Sequence, residues 1–478
     1  MSPATRLRLT LAAATALAAA CTVGPDYQPP VREMPAAWRQ PRTSGLAEGA
    51  PLDGAWWQTF GDPLLTQLVD DALRQNLDLR AALSRLDAAR ALRGVAEADR
   101  WPTIDARGTY EHRQESRNTP FGAFIPRTNI HTVAADASWE LDLWGRVRRS
   151  VEAADADLGA SEADAQAAAL TVAAEVVATY VDLREAQRRL EIAQSNLQLQ
   201  ERTLALGQAR QGAGLVVERD VAQAATTVES TRSRLPALEA LAIAAQNRLA
   251  VLLGKAPAEL PVELTRPGTL PVLPASVAVG VPADMLRHRP DVQAAERRLH
   301  AEVARVGVAE ADRYPRFSLG GTLGLSANAA ANVFTEGSDQ SAFGPSVRWN
   351  LFDGGRLRQR VKSLEARAEA AQIAWELTVL RALEEAENAM TRFVHEQARR
   401  VSLQRAATQA ARAVDLAQSQ YRAGLSDFQA VIDSQRTVAA IEDELAGSDA
   451  EIATNLVALF KALGGGVMAP VENARAGD

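Results

Sequence analysis

Residue types able to carry covalent, metal or acid–base chemistry are scarce in this chain. One cysteine, Cys21, and five histidines stand among 478 residues, so an intrachain disulfide, a thiolate zinc site and an iron–sulfur cluster are excluded by number. No HExxH pair, GxxxxGK[ST] loop or GxSxG elbow occurs, which removes the usual metalloprotease, phosphate-binding and hydrolase signatures. His395-Glu396 lacks a second histidine and reads as a solvated helical pair; His112, His131, His288 and His300 are scattered and take no role. Nothing here predicts an enzyme, a cofactor or a metal. Cys21 differs, because it follows Arg6, Arg8, the apolar run Leu9 to Leu17 and the small residues Ala18-Ala19-Ala20, the plan of a secretory signal. The chemistry it points to is lipidation of Cys21 as the first residue of the mature chain, with residues 1–20 removed as a signal peptide.

The chain around that anchor is built for helices. Lys and Arg number 52 against 59 Asp and Glu, a net charge of −7, which gives no electrostatic reason for a nucleic-acid partner. Hydrophobic residues make up 47% but aromatics only 5%, and alanine supplies much of the difference, which suits closely packed helices better than thick globular cores. Past the signal no long uncharged run suggests a membrane-spanning helix, so any crossing is expected to be by strands.

An internal repeat organises the rest. Gly94-Val95-Ala96-Glu97-Ala98-Asp99-Arg100-Trp101-Pro102 recurs as Gly307-Val308-Ala309-Glu310-Ala311-Asp312-Arg313-Tyr314-Pro315, identical at eight of nine positions. The pairing continues with Trp139 and Trp349, Gly145-Arg146 and Gly355-Arg356, Ala213-Gly214-Leu215 and Ala423-Gly424-Leu425, and Leu253-Gly254 and Leu463-Gly464. The expected plan is an extended, lipid-anchored segment over 21–62, a first unit over 63–254, a Pro-rich linker over 255–282, a second unit over 283–464 and a tail over 465–478.

Each unit begins with helix that stops at an aromatic-Pro pair, and then alternates with period two. Ile104, Ala106, Gly108 and Tyr110 share one face, as do Val133, Ala135, Ala137, Trp139 and Leu141, with Ala134 the single exception to a polar opposite face. Strands are expected near 103–111, 132–142, 316–326 and 343–351, each about the length that a tilted strand needs to cross a bilayer. Trp101, Trp139, Trp144, Tyr314, Trp349 and Phe352 gather at their ends, as in the aromatic girdles of membrane barrels. After each hairpin comes a proline-free helical stretch, from about Val147 to Gly212 and from about Leu357 to Gly424, each roughly 100 Å long at 1.5 Å per residue. In the second, Leu380, Leu383, Ala386, Met390, Val394, Ala398 and Val401 predict a narrow seam. Both stretches turn at a glycine and return as a second helix, the first kinked at Pro236. Four strands are too few for a closed barrel, the smallest having about eight, so the chain is expected to oligomerise. The expected fold is therefore an α+β membrane protein, a transmembrane β-barrel continued by a long α-helical barrel.

Four strings carry a family resemblance: Cys21-Thr22-Val23-Gly24-Pro25-Asp26-Tyr27, Trp56-Trp57-Gln58-Thr59-Phe60-Gly61-Asp62-Pro63-Leu64, Leu286-Arg287-His288-Arg289-Pro290-Asp291-Val292 and Trp349-Asn350-Leu351-Phe352-Asp353-Gly354-Gly355-Arg356. With them the mature chain resembles the TolC-like outer-membrane efflux proteins, in the lipoprotein (NodT/OprM-type) branch. The signal resembles a bacterial lipobox in which Ala18 replaces the usual leucine, and Thr22 in place of aspartate fits outer-membrane sorting. The resemblance implies a homotrimer with four barrel strands from each chain, docking to a periplasmic adaptor (membrane fusion) protein and an inner-membrane pump of the resistance-nodulation-division (RND) class. It implies that Gly214-Leu215 and Gly424-Leu425 are periplasmic tips meeting the adaptor, and that Tyr421 and Asp433 stand at a constricted entrance. Gln429 and Ala430 depart from the acidic residue or leucine of other members, and the first unit offers Gln223 where the second has Asp433. The expected function is a passive exit duct for drugs or other small molecules; the alternatives are a port for type I protein secretion and a pore-less structural coiled-coil lipoprotein.

Overall fold

The computed structural model describes residues 22–465 apart from 40–44, 48–53, 117, 121–123, 125, 261 and 275. Cys21, the signal and nearly all of the expected tail lie outside the described residues. The chain forms two compact units, one from residues 22–31, 85–161 and 294–375, the other from 32–84, 162–293 and 376–465.

The first unit holds a four-stranded antiparallel sheet of β2 (Thr103–Arg113), β3 (Thr128–Leu141), β5 (Arg316–Ala327) and β6 (Asp339–Arg348), in the order β2-β3-β5-β6. The register places Ile104 opposite Ala137, Ala137 opposite Gly321 and Gly321 opposite Phe343, so one face is apolar across all four strands. Among the described residues nothing covers that face: Ile104 is 73% and Phe343 76% exposed. The other face carries a polar ladder, with Thr132 and Ser326 hydroxyls 3.2 Å apart and Ser318 and Ser346 hydroxyls 2.8 Å apart. The last strand begins and ends earlier than the alternation suggests. Gly337, at φ 84°, turns the chain so that pairing starts at Asp339, and Trp349 and Leu351 fall beyond the strand end. The Asp353 carboxylate there accepts from the Gly355 and Leu357 amides at 2.8 and 2.9 Å, starting the next helix.

Pro345 would break a central strand but sits on an edge here. The Ser326 amide donates to the Ser338 carbonyl at 2.8 Å, which fixes the phase of the β5–β6 ladder; Leu319 and Pro345 then form a non-bonded pair, with the proline nitrogen facing the open side.

The helices are α1 (Pro63–Gln75), α2 (Leu77–Ala98), α3 (Arg146–Gly212), α4 (Glu218–Arg232), α5 (Leu235–Leu252), α6 (Pro282–Arg287), α7 (Pro290–Ala311), α8 (Arg356–Arg422) and α9 (Phe428–Ala462). Two of them, α3 and α8, run for 67 residues each, as the proline-free stretches predict. The first return path is split at Ser233–Arg234, where Pro236 can offer no amide to the preceding turn, while α9 returns unbroken for 35 residues. On α8 the buried stripe is Val379, Ala382, Ala386, Met390 and Phe393, whereas Leu380, Ala398 and Val401 of the expected seam are exposed. Steps of three and four residues fit more than one stripe on a long helix, and packing selects one of them. Two stretches, within α3 and across α4 and α5, reach the length and mean hydropathy (1.2) of a membrane span, although charged residues such as Asp164, Glu175, Glu239 and Arg248 interrupt them and neither is a long uncharged run. In α3 this apolarity is used for packing, because 56% of that window is buried within the chain.

The second unit has its core where α3, α5, α8 and α9 meet. The string Trp56 to Phe60 forms a 3-10 turn whose Trp56, Trp57 and Phe60 side chains enter that core, Trp56 at 5.1 Å from the Phe460 ring. Gly61, at φ 63°, ends the turn, and Asp62 caps α1, accepting from the Leu64 amide at 2.9 Å and from the Tyr180 hydroxyl at 2.6 Å. Short strands β1 (Leu46–Ala47) and β4 (Val277–Ala278) pair in parallel, so the Pro-rich segment is tied into this unit.

Two joints fasten the ends of the return helices. Asn76 donates to the Leu252 carbonyl at 2.9 Å and accepts from the Leu79 amide at 3.0 Å, capping the end of α5 and the start of α2 together. Arg289 donates to the Ala462 carbonyl at 2.7 Å at the end of α9, and to Asp291 and Glu385 at 2.7 Å each. Burial works against the Arg289 charge, but these carboxylates outweigh it and hold its pKa above the ordinary value. Burial likewise opposes the Asp291 charge and Arg289 prevails, so its pKa is lowered. A carboxylate with a depressed folded pKa contributes stability above its unfolded pKa of ~3.9, and that contribution is lost as pH falls through the folded value. Asp291→Asn should therefore lower the unfolding temperature at neutral pH, with the gap to the parent narrowing below about pH 4 and then closing, as read by calorimetry.

Candidate functional site

The two glycine turns are built alike. Gly214 and Gly424 both have φ 75°, the left-handed conformation that ends a helix, and the next amide reaches back five residues: Leu215 to the Arg210 carbonyl and Leu425 to the Gln420 carbonyl, each at 2.9 Å. These bonds fix the leucines outward, so that Leu215 is 74% and Leu425 81% exposed. The turns differ beyond the leucine. Asp427 caps α9 by accepting from the Ala430 amide at 3.0 Å, whereas Val217 begins α4 with no side-chain cap and is itself exposed.

Tyr421 and Asp433 are not in contact. Tyr421, 6% exposed, packs in a cluster with Ala224, Ala417, Phe428, Val431 and Ile432, its ring 5.1 Å from that of Phe428. The Arg210 guanidinium lies 4.4 Å over the Tyr421 ring and donates to the Tyr421 carbonyl at 3.2 Å, tying the end of α3 to the end of α8. The Tyr421 hydroxyl is buried with no hydrogen-bond partner among the described residues. Asp433 stands exposed, accepting from Gln429 at 2.9 Å, with the Arg436 guanidinium at 3.8 Å. Gln429 is thus the residue that holds the Asp433 carboxylate.

A third arrangement, in the first unit, was not legible in the sequence. Residues 22–31 form an extended strap on α7. Tyr27 stacks on His300 at 4.0 Å and 11°, and donates to Glu296 at 3.1 Å; burial, then that carboxylate, raises the Tyr27 pKa above its ordinary value. Buried Arg149 pairs with Asp26 and, at 2.7 Å, with Glu152, whose second oxygen lies 3.0 Å from His300. A Cβ on Gly24 would stand 2.5 Å from Gly307 Cα, so the strap closes on the second copy of the repeated string through two glycines. At its start the Val23 amide donates to the Trp144 carbonyl at 3.1 Å, which fixes the chain next to Thr22, the residue after Cys21. Only the glycine spacing hinted at this; the partner positions are far apart in sequence. His395-Glu396 likewise proves half right: Glu396 is sheltered, accepting from the buried Ser448 hydroxyl at 2.5 Å and from Arg399 at 2.9 Å.

The chain matches the family model described as outer membrane efflux protein over residues 68–255 and 281–465. It is 32% identical to nodulation protein T of Rhizobium leguminosarum bv. trifolii over 450 residues, 94% of this chain and 95% of that protein. Outer membrane protein OprJ of Pseudomonas aeruginosa is 33% identical over 452 residues, 94% of this chain and 93% of that one. The solved structure of the outer-membrane channel OprN aligns with a TM-score of 0.87 at 39% sequence identity, covering 93% of this chain and 99% of its own.

The Tyr421 geometry separates ring from hydroxyl. Tyr421→Phe loses no hydrogen bond and should leave unfolding in denaturant unchanged or slightly harder, whereas Tyr421→Ala should cost about 3–5 kcal/mol, the usual range for deleting a buried aromatic side chain.

Proposed function

Since the chain belongs to the outer membrane efflux protein family, we propose that it is the outer-membrane exit duct of a tripartite efflux system, passing drugs or other small molecules from a periplasmic adaptor and an inner-membrane RND-type pump to the exterior. The observation that carries this reading is the sheet: one face apolar and uncovered over four strands, one face polar, and both edges, β2 and β6, unpaired. In hydrocarbon an unpaired edge leaves backbone groups with no partner, so β6 of one copy pairs with β2 of the next. With an even number of antiparallel strands these edges run in opposite directions and continue the antiparallel order. Three copies close the barrel, apolar face to lipid and polar face to a water-filled lumen.

The chain supplies no energy; it supplies a path and a gate. We read it as two copies of one unit, 63–254 and 283–464 on either side of the linker 255–282, each giving one hairpin to the barrel and one helix pair to the tunnel. Asn76 and Arg289 occupy corresponding places in the two units, which supports that reading. Cys21 carries the lipid, and the bonded strap behind it holds the anchor to the first unit. Leu215 and Leu425, fixed outward by their glycines, are the apolar knobs that enter the adaptor. Tyr421, clamped by Arg210, holds α3 to α8 beside the entrance, and Asp433 from each copy forms an acidic ring there.

Purified protein in planar bilayers should give channel currents; their absence, together with the absence of a heat-modifiable trimer, would favour the pore-less alternative. Asp433→Ala should change single-channel conductance or its block by multivalent cations, and an unchanged channel would remove Asp433 from the gate. Leu215→Asp combined with Leu425→Asp should abolish crosslinking to the adaptor and drug export, while leaving outer-membrane trimers in normal amount.

A further inference from the structure

Ala134 breaks the alternation of β3, an apolar residue on a polar face, and the sheet explains why. It lies directly opposite Arg107 on one side and Gly324 on the other, and is only 5% exposed although its face is otherwise open. The cover is Arg107, whose guanidinium reaches along the sheet to pair with Asp136 at 3.1 Å. A larger residue at 134 would stand in the way of that side chain, and a Cβ at Gly324 would come within 2.6 Å of Ala134 Cβ. Asp136 is fully engaged, since Thr322 donates to its other oxygen at 2.7 Å.

The same row holds a second carboxylate. Asp105 is the direct cross-strand partner of Asp136, a placement that repels unless a cation offsets it. Among the described residues Arg107 is the one cation beside them and is committed to Asp136, while the Asp105 carboxylate has no ion pair or hydrogen bond. Residues 317–326 of β5 and 340–347 of β6 bring no charge at all to the sheet. The band therefore carries two acids and one base, a net charge of −1 per chain, all of it from the first hairpin.

We propose that Asp105, Arg107 and Asp136 form a charge-selecting band inside the barrel, separate from the Asp433 entrance, with Asp105 the carboxylate that attracts small cations and disfavours anions. This rests on the reading of the polar face as the lumen of a duct. Arg107 sets the strength by offsetting one of the two acids, Thr322 holds Asp136, and Ala134 and Gly324 give Arg107 its room. The lumen is wide, so the band acts through its field. That field reaches ~30 Å at 0.01 M salt and ~3 Å at 1 M, and the selectivity has to disappear over the same interval.

The test is the reversal potential of the full-length channel in planar bilayers under a potassium chloride gradient, each variant read as its difference from the parent so that the Asp433 contribution cancels. At low salt Asp105→Asn removes the excess negative charge and should shift the potential toward the anion-selective side. Asp136→Asn leaves Asp105 against Arg107 and should shift it in the same direction. Arg107→Gln leaves two acids and should shift it the opposite way, and all three differences should vanish at 1 M salt. Parent-like potentials in Asp105→Asn and Arg107→Gln, or shifts of the same sign in both, would overturn the band while leaving the duct intact. A parent that conducts no current would overturn the duct, and the band with it.

Discussion

A lipid interior offers no hydrogen-bond partner to a peptide group, and that constraint governs the whole chain. The four-stranded sheet satisfies its inner ladders and leaves β2 and β6 open, with an apolar surface that nothing among the described residues covers. Such a sheet is unstable as a separate object in water and equally in lipid. On the reading proposed above, in which the sheet is one arc of a closed ring, assembly is part of folding rather than a later step. Pro345 fits this account. A proline facing the open edge removes one donor from the seam and makes uncontrolled edge pairing less favourable before the correct neighbour arrives.

The helices meet a different demand. They stand in water, where an apolar stripe must find a partner along its full length, and alanine lets the helices approach closely enough to share one. Such thin packing needs firm ends. Asn76 and Arg289 supply them, each satisfying a carbonyl at the end of a return helix while joining it to the next helix start. One uses a neutral amide and the other a guanidinium with two carboxylates, so the same joint is made pH-insensitive in one half and pH-dependent in the other.

The long helices, the strands and the glycine turns were legible because each leaves a periodic or punctuated trace: runs without proline, alternation by two, and Gly214 and Gly424 at helix ends. Two kinds of feature were not. The phase of the α8 seam was one, since steps of three and four fit more than one stripe on a long helix: Val379, Ala382 and Phe393 are buried where Leu380, Ala398 and Val401 were expected. The strap could not be read because its partners, Tyr27 with His300 and Asp26 with Arg149, are joined only by the tertiary fold. Among the candidate site residues, the exposure of Leu215 and Leu425 followed from local turn geometry. The clamp on Tyr421 did not, because Arg210 reaches it from a different helix.

The two halves of the chain keep the backbone devices and vary the chemistry placed on them. Gly214 and Gly424 share one dihedral, yet a bare Val217 follows the first and a capping Asp427 follows the second. The first hairpin brings Asp105, Arg107 and Asp136, where the central part of the second brings only serine, threonine, glycine and apolar residues. A closed ring of three such chains would have six hairpins but would repeat that charged row only three times. Its geometry can approach six-fold symmetry while its field stays three-fold. A duct needs near-uniform walls to close and uneven charge to discriminate, and on the reading of the polar face as its lumen a duplicated unit can meet both demands, because the glycine turns at Gly214 and Gly424 lie outside the strands that carry Asp105, Arg107 and Asp136.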